Sequence, residues 1–264
     1  MVAAKLVDMH PDAGTERGGF LSDEWFEAFA EAFDNVELVA SASARLAFDA
    51  GGSRWHLVVQ DGRVSAWGRG EVDEPDCTLQ WDRENAERVW HGAMSGNDAH
   101  RVTTVATPAS DGDYVGPPAP MDLRSRPELD ALPKVPGATL RAQYHLRKGP
   151  FGDIDWAVTF VDGRVANDEL AVHAEPDVTA DVTYRALARV RAGEMMILET
   201  LQDGRVEGSI GAMALLAGLM ESPEYEDAER AAGRHAIALA TLGELRATPA
   251  VAGLLHDLLA ETQP

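Results

Sequence analysis

Positive charge is scarce in this chain. Its 264 residues carry 23 Lys and Arg against 44 Asp and Glu, a formal net charge of −21. Nucleic acids and anionic membrane surfaces are held by clustered Lys and Arg, so neither nucleic acid nor stable membrane insertion is expected. Only three lysines occur (Lys5, Lys134, Lys148) against twenty arginines, a balance suited to a GC-rich or salt-adapted genome. The one cysteine, Cys77, has no internal partner for a disulfide, which fits a reducing compartment; it reads as a small apolar residue on a strand. No apolar run approaches the roughly 18 residues that span a bilayer, and the opening residues show no basic segment followed by an apolar one. The expected location is the cytoplasm.

Catalytic signatures are also missing. There is no C-x-x-C, H-E-x-x-H or G-x-S-x-G motif and no phosphate loop. The eight histidines are dispersed, and His91 and His100 lack the i, i+4 spacing of a helical metal pair. Ser209 stands between Gly208 and Ile210-Gly211 without the elbow pattern and reads as a helix cap. Asp153 and Asp155 alternate on an expected strand and so share one face, a solvated edge. No catalytic residue, metal or cofactor is therefore assigned.

What the chain does have is an internal echo. The segment from Trp55 through Asp61-Gly62-Arg63-Val64 recurs as Trp156 through Asp162-Gly163-Arg164-Val165, an offset of 101 residues. The same offset holds for Glu74/Glu175, Pro75/Pro176, Asp76/Asp177, Thr78/Thr179, Arg88/Arg189, Val89/Val190 and Gly92/Gly193, twelve identities in all. A period this long exceeds the roughly 20–50 residues of a solenoid unit. It is domain-sized, and the expectation is a duplicated small fold.

Ser22-Asp23-Glu24 forms a helix start, followed by Trp25, Phe26, Phe29 and Phe33 at helical spacing. From Ala44 the pattern becomes extended, with turns at Asp49–Gly52 and at Asp61-Gly62, the strongest hairpin dipeptide. Cys77–Trp81 reads as a further strand, and Asp82 caps a short helix that ends by Gly92. The second copy repeats this plan, with Thr183 as the cap. Gly116 and Met121 pair with Gly208 and Met213 at an offset of 92, which predicts a nine-residue insertion in copy one near 107–112. Pro117, Pro118 and Pro120 weaken that copy's closing helix. Five divisions result: a lead-in at 1–20, a first copy at 21–121, a linker at 122–137, a second copy at 138–220, and a helical extension at 221–264. In the extension Ser222-Pro223 and Thr248-Pro249 start helices. Val251, Leu254, Leu255, Leu258 and Leu259 form an apolar stripe, suited to the protein's own core or, alternatively, to covering a pocket or a second subunit in a homodimer.

This order of elements resembles the sterol carrier protein type 2 family. The segments that carry the resemblance are FLSDEWFEAFAEAF, DVTADVTYRALARVRAG and ILETLQDGRVEGSIGAMALLAGLM. It covers 20–121 and, more fully, 138–220, but not 222–264. Where the family usually has Gly-Asp before its last helix, this chain has Gly208-Ser209. The resemblance implies a five-stranded, mostly antiparallel sheet with helices on one face, enclosing an apolar tunnel; with the internal repeat and the extension, the expected fold is α+β, two tandem copies of such a sheet covered by helices plus a C-terminal helical extension. The resemblance also implies binding of sterols, fatty acids or acyl thioesters without turnover. Trp156, Phe160, Met195, Met196, Met213, Leu216 and Met220 are the expected lining, methionine being adaptable to irregular ligands. Five of the six tryptophans lie in copy one (Trp25, Trp55, Trp67, Trp81, Trp90) and are expected to fill it, leaving copy two open. The alternative is an enzyme that uses the enclosed pocket for isomerisation, cyclisation or hydrolysis of a hydrophobic substrate, with His173, Asp155 or Tyr184 supplying the polar group.

Overall fold

A computed structural model describes residues 19–34, 36–38, 41–107, 114–116, 139–162, 164–192, 194–202, 204–220 and 226–261. The expected linker at 122–137 and the Ser222-Pro223 helix start lie outside these residues, as do Pro117, Pro118, Pro120 and Met121. The first unit opens with α1 (Asp23–Asp34), whose cap Ser22 Oγ accepts from Trp25 N at 3.1 Å. Strands β1 (Ala44–Ala50), β2 (Ser53–Gln60), β3 (Arg63–Arg69) and β4 (Cys77–Trp81) follow. Asp61 and Gly62 both take positive φ, 50° and 78°, as a two-residue hairpin turn requires. Next come α2 (Arg83–Trp90), α3 (Gly96–Val102), β5 (Thr104–Thr107) and β6 (Tyr114–Gly116). Asp82 caps α2 by accepting from Asn85 N at 2.8 Å, and Gly92 leaves the helix at φ 72°.

The second unit runs β7 (Thr139–Gly149), β8 (Gly152–Val161), β9 (Arg164–Glu169), β10 (Val178–Thr183), α4 (Tyr184–Arg191), a 3-10 helix (Ile197–Gln202), β11 (Arg205–Gly208) and α5 (Ile210–Met220). The extension supplies α6 (Glu226–Arg246) and α7 (Pro249–Glu261). No helix among the described residues is long and apolar enough to cross a membrane.

The sheets have the order β3-β2-β1-β4-β5-β6 and β9-β8-β7-β10-β11. Each central strand pairs in parallel with one neighbour, β1 with β4 and β7 with β10, and every other pairing is antiparallel. The fold is α+β, with two tandem sheet–helix units and a C-terminal helical extension.

Register corrects the expected insertion in copy one. Val105 faces Leu79 in β5·β4, and Val206 faces Ala180 in β11·β10, so the offset of 101 persists through the closing strand. The strand that matches β11 is therefore β5; β6 is an additional edge strand, and Gly116 does not correspond to Gly208. The length difference lies in the second unit instead. Ala50 pairs with Ser53 across two intervening residues, whereas the matching pair Leu146 and Ile154 is separated by seven, Arg147 to Asp153. The longer hairpin tip reaches the other unit. Phe151, 5% exposed, packs 5.8 Å from Trp81 and 5.5 Å from His100.

The approach of this tip demands small residues around it. A Cβ on Gly96 of α3 would lie 2.0 Å from Asp153 O, and one on Gly243 of α6 would lie 2.2 Å from Lys148 O. Asn97 Oδ1 accepts from Asp155 N at 2.9 Å, and Arg101 donates to Leu170 O. The helix α3 was not anticipated, although Ser95 caps it by accepting from Asp98 N at 3.2 Å. Along α6 nearly every described side chain from His235 to Arg246 is buried, as befits a helix enclosed on all sides. It packs on α4, β7, β1 and α7, and so ties both units together.

Candidate functional site

The inner face of the first sheet is filled by rings. Trp25, Phe29 and Phe33 project from one side of α1 onto Trp55, Trp67 and Trp90, and Phe48 stacks on Trp55. Centroid separations run from 4.3 Å for Trp25–Phe29 to 6.3 Å for Trp25–Trp55, and many pairs meet edge to face, the geometry that aromatic quadrupoles favour. All five tryptophans of this unit pack in or against the core. Trp81 Nε1 donates to Thr103 Oγ1 at 2.7 Å. Burial pushes the Cys77 thiol pKa upward, consistent with an inert, fully enclosed side chain.

The inner face of the second sheet is built differently. Leu140, Ala142, Tyr144 and Leu146 of β7 alternate inward, as do Ile154, Trp156, Val158 and Phe160 of β8 and Val178, Ala180 and Val182 of β10. Tyr144 and Trp156 are directly paired across the strands, with ring centres 5.0 Å apart. Over this sheet lie α4, α6 and, at one side, α5. The last is apolar throughout, IGAMALLAGLM, with no polar face at all. Yet of its described side chains only Leu216 is buried; Met213, Leu215, Ala212 and Ala217 are half-buried, and Ile210 is 83% exposed. Beside α5 runs the 3-10 helix, preceded by half-buried Met195 and by Met196, which is 58% exposed.

The expected lining is thus distributed unevenly. Trp156 and Phe160 are each 2% exposed within the sheet's core. Met195, Met213 and Leu216 pack against that same core, and Met196 stands at its solvent margin. Met220 ends α5, and its side chain lies outside the described residues.

The groups considered for catalysis are not brought together. Asp155 sits on the outward face of β8, where its Oδ1 lies 2.5 Å from Nδ1 of His145, the residue opposite it on β7. Asp153 accepts from Lys148 N at 3.0 Å, so the two aspartates share a face without sharing a proton. His173 Nε2 lies 3.4 Å from Thr159 Oγ1, and its backbone N–H donates to Gln143 Oε1 at 2.8 Å. Gln143, 1% exposed, donates in turn to the carbonyls of Tyr144, Trp156 and Ala171, pinning the 171–173 loop to the outer face. Tyr184 is fully buried at the start of α4. Among the described residues, no group of three His, Cys, Asp or Glu side chains is placed to hold a metal ion. Ser209 caps α5, its Oγ accepting from Ala212 N at 3.1 Å.

Sequence reasoning overlooked the junction between the units, where His100, Phe151 and Arg246 meet. The available signal was an aromatic residue set between Gly149-Pro150 and Gly152, in a tip five residues longer than its counterpart. His100 is fully buried. Its Nδ1 lies 2.9 Å from Gly96 O, so Nδ1 carries the proton, and burial lowers its pKa to about 4. His91, 5% exposed at the end of α2, is likewise lowered by burial.

No protein-family model matches the chain, and no curated protein does. Solved structures similar to parts of it include the stereoselective inverting sec-alkylsulfatase Pisa1 from Pseudomonas sp. (16% identity, TM-score 0.27). That match covers 32% of this chain and only 13% of the alkylsulfatase. Sterol carrier protein 2 matches over 41% of this chain and 86% of its own, at 17% identity and TM-score 0.30. The UbiJ-SCP2 ubiquinone synthesis protein matches over 37% and 82%, at 17% identity and TM-score 0.25. Sterol-carrier-like domains are thus among the partial structural neighbours.

Proposed function

We propose that this chain is a soluble cytoplasmic binding protein for a hydrophobic small molecule: a steroid, a fatty acid or an acyl thioester. The ligand is held at the second unit, between the inner face of its sheet and α5. Trp156 and Phe160 form the floor, Met213, Leu216 and Met220 the cover, and Met195 and Met196 the rim. The single observation that supports this reading most is α5 itself. An eleven-residue helix without a polar side chain, most of whose described side chains are not buried, leaves apolar surface in water. An apolar ligand seated against it removes that surface at a gain of roughly 25 cal/mol per Å², less the cost of association. The first unit, filled by its own aromatic rings, serves as a rigid partner. The matching strand order and the constant register support a reading of the units as diverged copies of one ancestral domain, 21–121 and 138–220, joined by 122–137 and followed by the extension.

Organic extraction and mass spectrometry of the protein purified from its native host test the reading. A lipid, steroid or polyketide recovered in near-stoichiometric amount is the expected result. Protein that carries no such molecule and binds neither a fluorescent fatty acid nor a fluorescent sterol contradicts it.

A further inference from the structure

The junction of the two units contains a buried positive charge without a counter-ion among the described residues. Arg246, the last residue of α6, is 7% exposed. One guanidinium nitrogen, Nη2, donates to Val89 O at 3.0 Å, and the group lies over Trp90 and Phe151, 5.2 and 5.8 Å from the ring centres. The other, Nη1, is buried with no hydrogen-bond partner among the described residues, and no described carboxylate lies within ion-pair distance. The same helix shows how this fold treats a partly buried arginine when a partner is available. Arg185 of α4 meets Glu244, two residues earlier, at 2.6 Å. Burial lowers the Arg246 pKa only to about 10, so the group stays charged at neutral pH.

An uncompensated buried guanidinium is costly. The C-terminal dipole of α6 offers at most about half a charge, and the two rings offer a cation–π attraction; neither supplies an acceptor for Nη1. His100, which also packs against Phe151, has its Nε2 buried with no hydrogen-bond partner among the described residues. Because Nδ1 holds the proton, this nitrogen is a vacant acceptor.

We propose that Arg246 binds the carboxylate group of a small molecule at the junction of the two units, where its guanidinium lies over the rings of Trp90 and Phe151. A carboxylate carries the single negative charge that cancels one guanidinium, and its planar oxygens match the guanidinium fork. A sulfate or phosphate dianion would leave surplus charge buried, so carboxylates are the favoured class. The site is separate from the apolar face beneath α5 and does not depend on a lipid being bound there.

Thermal unfolding of the dialysed protein tests this, using formate and acetate against chloride and sulfate at matched ionic strength. The expected result is a saturable rise in Tm with the carboxylates alone, about 5–10 °C at a hundredfold excess over Kd. The rise is absent in Arg246→Gln. Should Arg246→Gln fail to fold, Arg246→Lys keeps the charge but not the fork, and its acetate affinity falls tenfold or more. A carboxylate response that persists unchanged in either variant overturns the proposal. So does wild-type protein that responds no differently to acetate than to chloride.

Discussion

Replacing Gly243 by alanine sets two effects against each other. In the interior of a solvent-exposed helix the change gains about 1 kcal/mol, because glycine loses more backbone freedom on folding. Gly243 lies in the last turn of α6, where that gain is at most as large, and faces the tip of the β7–β8 hairpin. A Cβ there would lie 2.2 Å from Lys148 O and 2.7 Å from both C and O of Gly149. All three are backbone atoms, so no side-chain rotation relieves the overlap, and the tip must retreat by about 1 Å to restore ordinary contact. Overpacking of this kind costs about 1–3 kcal/mol. The retreat also unseats Phe151, whose complete removal from a core would cost about 3–5 kcal/mol. The clash therefore outweighs the propensity gain, and the expected net loss is about 2 kcal/mol. Urea unfolding followed by tryptophan fluorescence should show a lower midpoint at unchanged slope. An increase in stability, the outcome helix propensity alone predicts, would refute the close contact of α6 with the hairpin.

The other consequences are more local. Gly96→Ala, whose Cβ would lie 2.0 Å from Asp153 O, should destabilise by about 1–3 kcal/mol in the same assay, and a neutral result would show that α3 does not abut the tip. Phe151→Ala should cost about 3–5 kcal/mol and increase protease sensitivity at the junction; a loss below about 1 kcal/mol would contradict the insertion of this ring between the units. Stability should also fall with acid. His100 takes its proton near pH 6.5 when unfolded but only near about pH 4 when folded, so the unfolded state binds more protons in that window. Its contribution is complete above pH 6.5, declines by up to about 3 kcal/mol as pH falls to about 4, and then levels off. His91, lowered by the same cause, adds in the same direction. His100→Asn, which keeps a donor for Gly96 O, should flatten the profile, and an unchanged slope would disprove the assignment. Leu216→Glu places a charge under α5 and should reduce fatty-acid binding at least tenfold while leaving the aromatic core of the first unit intact by near-ultraviolet circular dichroism.

Most of the fold was legible because its signals are local. The Asp61-Gly62 turn, the Asp82 and Thr183 caps and the alternation along β4 and β10 each state their own geometry. Constant spacing carried the rest, since equal offsets impose equal registers. The errors arose where a non-local contact decides. A recurring glycine and following methionine match Gly116 to Gly208, but only pairing shows that β5 occupies that place. The short α3 carries a cap yet little apolar periodicity, because it is held by Asp155 N and the hairpin backbone rather than by a hydrophobic stripe. The Arg246 environment was hidden for the same reason: a lone arginine in the last turn of a helix reads as an ordinary dipole partner until the opposing unit buries it. Of the expected lining, the inward positions of Trp156 and Phe160 followed from strand alternation, whereas the exposure of Met196 depends on how the 3-10 helix is seated.

The account turns on where an apolar ligand sits. Photolabelling with a diazirine-bearing fatty acid, followed by digestion and peptide mapping, locates it directly. The account predicts saturable labelling within residues 195–220, competed by unlabelled fatty acid. Labelling concentrated within residues 20–121, or none that saturates, would contradict it.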